Sequence, residues 1–201
     1  SFGWRSASLG VAFLCLILLI LIHPIRYKYD IDLQKISWIT FRELFNPLVY
    51  VLTKIRFREL TIMGFCYSVS QTCLNTFLVA FLVEGVKLTL VTAGLIQSIA
   101  QMSGMIGRVG WGAMVGQFIS GRSMLIILGL VMTFASFTTA FFTHNWQVPI
   151  IFIISAILGA TGTGWSGVLM AELARFAPEG ETSKVTGGAA SYCFMGAMLG
   201  P

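Results

Sequence analysis

The chain has 201 residues, of which 56% are hydrophobic and only 10% charged, and its formal net charge is +5. Soluble domains carry roughly 25% charged residues, and disordered chains join low hydrophobicity to high charge, so neither class fits. The basic residues stand in gaps between apolar runs, which points to a membrane topology signal rather than to nucleic acid.

A helix needs about 20 apolar residues to cross a bilayer. Runs of that kind occupy 7–22, 60–83, 89–114, 123–143, 148–171 and 185–201, which predicts an all-α, polytopic transmembrane bundle of about six spans. The chain begins at Ser1 and stops at Gly200-Pro201, so both ends read as cut and the chain as a fragment. Arg5 and the run after it share features with a signal peptide. His23-Pro24-Ile25-Arg26 follows instead of a small-residue cleavage site, so a span is the better reading.

Alternating gaps place Arg26, Lys28, Lys35, Arg42, Lys54, Arg56, Arg58, Arg108, Arg122, Arg175 and Lys184 on one side, against Arg5 and Lys87 on the other. The positive-inside bias makes the first side cytoplasmic, including 23–59, 115–122 and 172–184. Within the long gap 23–59, Ile36, Trp38, Phe41, Leu44, Phe45 and Leu48 fall near one helical face. That predicts a short helix on the cytoplasmic membrane surface, broken or kinked at Asn46-Pro47; a connecting loop held against the membrane is the alternative.

Polar groups inside spans tend to face a bundle interior or a water-filled cavity. Tyr67, Gln71 and Asn75 recur every fourth residue on one face of the second span, widened by Ser68 and Thr72. Gln97, Gln101, Gly104 and Arg108 stack likewise on the third. Two such stripes predict a polar cavity, with hydrogen bonding between helices as the alternative. Arg108 either snorkels to the cytoplasmic surface or attracts an anion at the cavity floor. The glycines of Gly159-Ala-Thr-Gly162-Thr-Gly164-Trp165-Ser-Gly167 lie in an apolar run, which excludes a dinucleotide loop and predicts close helix approach or bending. Trp165 is either packing or a substrate-facing ring. Glu172 and Arg175 are spaced to pair at the inner surface, while Glu84 and Lys87 are expected on the outer side. Glu84 is also a candidate for proton coupling.

Cys15, Cys66, Cys73 and Cys193 show neither C-x-x-C spacing nor a neighbouring histidine, and His23 and His144 lie far apart. The expectation is no disulfide framework, no metal site and no cofactor. No Asp or Glu lies deep in a span, and no hydrolase, zinc-protease or P-loop motif appears, so no catalytic residue is assigned.

Gly107-Arg108, Gly112, Gly116 and Gly121-Arg122 resemble the loop motif of the major facilitator superfamily, which approximates G-R-x-x-x-G-x-x-x-D-R. Phe2-Gly3-Trp4-Arg5 is similar to the start of that fold's sixth helix, and Gly196-x-x-x-Gly200-Pro201 to an element of its eleventh. The texture around Gln71 and around Ala-Glu172-Leu-Ala-Arg175 looks like bacterial members. The resemblance implies the sixth helix of the N-terminal half at 1–22, a cytoplasmic linker with a surface helix at 23–59, and a C-terminal half at 60–201, truncated in its eleventh helix. It departs at Gly116 and Gln117, where the family has Asp and a basic residue; that Asp helps lock the cytoplasmic gate.

What the resemblance implies for function is secondary active transport of a small solute, an organic or inorganic anion, by alternating access in the inner (plasma) membrane. Helices seven, eight and ten of the family line its cavity. Carried onto this chain, they give Tyr67, Gln71, Asn75, Gln97, Gln101 and Trp165 as substrate-binding residues. Arg108, Gly112, Arg122, Glu172 and Arg175 form the gating group. Expected partners are the substrate, a coupling proton or ion, the lipid bilayer and the N-terminal half of the same chain, with no nucleic acid. The alternatives are a half-size structural or assembly protein and a membrane-embedded enzyme.

Overall fold

The computed structural model describes residues 4–29 and 41–201. The expected surface-helix positions Ile36 and Trp38 lie outside the described residues. The chain divides into two units, Ser1–Phe41 and Arg42–Pro201. Among the described residues every regular element is a helix; an isolated bridge joins Val115 to Ile119.

The first unit carries α1 (Trp4–Tyr29). Leu9, Val11, Leu14 and Leu19 on its several faces are all more than half exposed. A helix apolar all round requires an apolar surrounding, which a bilayer supplies. Its most apolar stretch, Ser8–Pro24, is shorter than the spans that follow.

The second unit contains α2 (Phe41–Thr53), α3 (Ile55–Glu84), α4 (Leu90–Met114), α5 (Gly121–Thr139), α6 (Val148–Gly162), α7 (Trp165–Phe176) and α8 (Thr182–Leu199). Four segments are long and apolar enough to cross a membrane: α3, α4, α5 and the combined stretch Val148–Phe176. The sixth expected run corresponds to α8, which is shorter and opens on Thr182, Ser183 and Lys184. Ser120 caps α5 by accepting from the Ser123 N–H, and Thr89 caps α4 by accepting from that of Thr92.

Helix α3 runs along α8, α4 along α6, and α5 against both α6 and α7. At one end Leu82, Val86, Ala93, Phe142 and Ile151 form one apolar cluster. A second, containing Tyr67, Leu125, Trp165, Leu169, Val185 and Cys193, fills the centre and the end that carries the basic residues. The α4–α6 seam is the tightest. A side chain on Gly104 would meet Thr163, and one on Gly107 would come within 2.6 Å of the Ala160 carbonyl. Small residues let two backbones touch where lipid offers no competing hydrophobic drive.

Helix α2 excludes one of the two outcomes expected at Asn46-Pro47, a break. It continues through Pro47 to Thr53 instead of breaking there. Proline removes one backbone bond, and packing beyond it compensates: Val51 is fully buried, and the Pro47 carbonyl rests where Gly188 of α8 has no side chain. The buried position is therefore Val51, while Phe45 stays half exposed.

Polar contacts complete that docking. The Tyr50 hydroxyl donates to Glu181, the Lys184 ammonium bonds Glu181 Oε1 at 3.2 Å, and the same ammonium lies 4.3 Å from the Tyr50 ring centre. The Tyr50 hydroxyl and Lys184 hold the Glu181 carboxyl below its ordinary 4.5, and bonding to Glu181 raises Tyr50 above its ordinary 10.0. A lowered carboxyl stabilises above its unfolded pKa and ceases to as pH falls through the folded value; a raised phenol stabilises below 10.0 and ceases to as pH rises through its own. The melting difference between the protein and Tyr50→Phe should therefore be flat from pH 5 to 9, vanish on acidification and shrink in strong alkali. A thermal-shift titration measures it.

Candidate functional site

A cavity of about 420 Å³ opens between α3, α4, α7 and α8. Helix α3 contributes Ser68, Gln71, Thr72 and Asn75, α4 contributes Arg108, and α7 contributes Trp165 and Ser166; Ala190, Cys193 and Ala197 of α8 close it. Its described lining has amides, hydroxyls and an indole, with Arg108 as the charged group. Ala190, Cys193 and Ala197 recur at helical spacing. That stripe was readable in the sequence, although nothing there said which helix it faced.

The expected site residues divide into three groups. Gln71 and Trp165 meet directly: the Trp165 Nε1–H donates to Gln71 Oε1 at 3.0 Å. Trp165 is 2% exposed and its ring stacks on Tyr67 at 5.3 Å between centroids, so it both packs the core and borders the cavity. Asn75 and Gln101 form the second group, with Gln101 Nε2 donating to Asn75 Oδ1 at 2.9 Å. Gln97 joins these two in a small pocket beside Leu158 and Gly159, and its Oε1 is buried without a hydrogen bond.

Tyr67 stands apart. It does not line the cavity, because its hydroxyl turns to α5 and donates to the Leu125 carbonyl at 2.6 Å. Residues four apart on a helix share a face only approximately, and the larger side chain found a backbone acceptor outside the stripe. Tyr67→Phe should therefore cost about 1 kcal/mol of stability and leave uptake within twofold of the parent, as paired melting and transport assays would show.

Arg108 is exposed on the cavity wall, where its Nη2 donates to the Thr163 carbonyl at 3.2 Å. That carbonyl lies in the break between α6 and α7, and the glycine-rich run produces the close approach that was one of its two expected outcomes. Trp111, three residues along α4, donates its Nε1–H to the Ala160 carbonyl at 2.9 Å.

A second polar pocket, of about 290 Å³, lies at the basic end among Arg56, Arg122, Glu172, Arg175 and Phe176. Glu172 is 3% exposed, and Arg175 reaches its Oε2 only at 3.8 Å. The carboxylate lies against the first turn of α5, where Gly121 leaves room for it. A helix N-terminus favours negative charge. The expected Glu172–Arg175 pair thus forms, but around a buried acid. Arg122 pairs with Glu59, the residue directly before the apolar run at 60–83. Gly112 is half-buried in the last turns of α4, with open space around it. The motif from Gly107 to Met114 is helical, and only 115–120 form the loop. Gly116 there takes φ +89°, which a side-chain-bearing residue adopts only with strain.

Among the described residues no group of His, Cys, Asp and Glu is placed to hold a metal ion. In sequence, the whole chain, residues 1–201, matches the model of the Major Facilitator Superfamily. No curated protein and no solved structure matches it.

Proposed function

The chain belongs to the major facilitator superfamily, whose members are membrane transporters, and from that premise we propose secondary active transport of a small anion, organic or inorganic, by alternating access. The observation that supports this reading is the 420 Å³ cavity with neutral hydrogen-bonding groups on its wall and an arginine whose charge meets no described carboxylate. Intramembrane charge is costly and rare, and it marks pathways for solutes or ions. Gln71, Asn75 and Gln101 supply hydrogen bonds, Trp165 a ring edge, and Arg108 the counter-charge for the anion.

In the same reading α1 is the sixth helix of the fold, 23–59 is the linker, and 60–201 belongs to the C-terminal half. The N-terminal half completes the cavity and carries any acid that couples protons. The basic end faces the cytoplasm, as the positive-inside bias indicates, in an inner or plasma membrane of bacterial type. Arg122, Glu172 and Arg175 gate that end: the Arg122–Glu59 pair joins α5 to α3 and Arg56 of α3 lies over the Phe176 ring of α7, and these contacts must open when the cavity opens inward.

Gln71→Ala in the intact protein tests the site. Removing the acceptor of the Trp165 N–H and one ligand group should lower uptake of radiolabelled anions into proteoliposomes by about tenfold, equivalent to 1.4 kcal/mol, with membrane abundance unchanged. Unchanged kinetics would remove Gln71 from the site. A screen in which only neutral or cationic solutes move would overturn the choice of an anion.

A further inference from the structure

The 29-residue apolar stretch Val148–Phe176 is not one helix: α6 ends at Gly162 and α7 begins at Trp165. A helix end leaves carbonyls without their usual N–H partners, and such groups do not stay unpaired at membrane depth. Here α4 supplies the partners. Trp111 Nε1–H bonds the Ala160 carbonyl at 2.9 Å, and Arg108 Nη2 bonds the Thr163 carbonyl at 3.2 Å. The Thr163 hydroxyl is already engaged with the Gly159 carbonyl. Gly167 brings α7 directly onto Arg108, since a Cβ there would lie 2.5 Å from the Arg108 carbonyl.

The two donors differ in what else they touch. Trp111 faces the outer groove between α4 and α6, away from the cavity. Arg108 lines the cavity with Gln71, Asn75, Trp165 and Ser166. A guanidinium carries five N–H donors in a planar fork matched to carboxylates and other oxyanions. An oxyanion competes for those donors far better than a neutral carbonyl does, because charge-assisted hydrogen bonds are roughly twice as strong.

We propose that Arg108 is shared between the transported anion and the α6–α7 break: an anion in the cavity draws the guanidinium off the Thr163 carbonyl, and the span bends at Thr163–Gly164 about the retained Trp111–Ala160 bond. Arg108 thereby converts occupancy into a change in the shape of one span, and Trp111 acts as a positioning residue. This inference rests on the anion reading given above.

The test is hydrogen–deuterium exchange over 159–167 in the intact protein in nanodiscs. Sodium benzoate and sodium sulfate serve as probes, with sodium chloride at matched ionic strength as control, and calorimetry reports probe binding separately. In the unaltered protein a bound probe should raise exchange in this segment by about tenfold. Trp111→Phe should raise it without any probe while binding stays intact. Arg108→Gln should show raised exchange that no probe alters. Arg108→Lys, measured beside it in case the glutamine variant does not fold, keeps one donor and loses the fork. It should bind more weakly while exchange remains probe-sensitive.

Probe binding with unchanged exchange at 159–167 would overturn the shared-donor inference and leave the anion reading standing. Failure of both probes to bind would remove the anion reading, and the coupling with it. Trp111→Phe exchange equal to that of the parent would overturn the clamp itself.

Discussion

Gly159→Leu is expected to destabilise the protein by about 3 kcal/mol and to deplete it from the membrane fraction. A Cβ at Gly159 would fall on the Ala100 carbonyl, with the Ala100 Cα only 2.6 Å away. Those atoms are backbone, and the Ala100 carbonyl belongs to the hydrogen-bonded ladder of α4, so it cannot swing aside as a side-chain tip does. The surrounding seam has no slack, because a side chain on Gly104 would lie 3.0 Å from the Gly159 carbonyl. Overpacking of cores ordinarily costs 1–3 kcal/mol, and a backbone obstacle puts this site at the upper end. Gly94→Leu, on α4 with nothing within 4 Å, is the control and should melt like the parent. Thermal melting by size-exclusion chromatography in detergent measures both. Equal melting of Gly159→Leu and the parent would show that the helices are further apart than described.

Trp165 should separate stability from transport by the choice of replacement. Trp165→Ala removes a fully buried ring stacked on Tyr67 and contacting the apolar centre of the bundle, and large-to-small changes of this kind cost about 3–5 kcal/mol. Trp165→Phe keeps an aromatic face against Tyr67 but deletes the N–H held by Gln71 Oε1 at 3.0 Å. It should retain most of the membrane abundance and lose uptake by about tenfold, through a carboxamide no longer held in place. Abundance by immunoblot and initial uptake rates on the same membranes distinguish the two. Parent-like uptake by the phenylalanine variant would mean that Trp165 serves packing alone.

Much of the architecture was legible in the sequence because a bilayer imposes a length and a hydropathy on whatever crosses it. The runs at 60–83, 89–114, 123–143 and 148–171 correspond to four apolar helical segments. The close approach of α4 and α6 could be anticipated from glycine density, since few other residues allow two backbones to touch within an apolar run. The continuation of α2 through Pro47 could not. Local proline chemistry argues for a stop, and Val51 burial and the Gly188 contact, both distant in sequence, outweigh it.

The polar stripes show the same limit at the site. Periodicity placed Tyr67, Gln71 and Asn75 on one face, yet the three serve different neighbours: the Leu125 carbonyl, the Trp165 indole and the Gln101 amide. Helical spacing fixes where a side chain leaves the helix but not what stands opposite. The partner of Arg122 was likewise invisible: Glu59 lies far away along the chain and meets it only because α3 and α5 bring their ends together.

By itself, then, the sequence determined that this protein lives in a membrane and where its long apolar helices lie along the chain. Both follow from the free energy of moving a local segment between water and hydrocarbon. Only the tertiary structure decided which polar groups meet, that Glu172 is buried against the start of α5, and that Arg108 lies between the cavity and the α6–α7 break. Those outcomes depend on helices far apart in sequence, held at a spacing that side-chain volumes and glycine contacts set together.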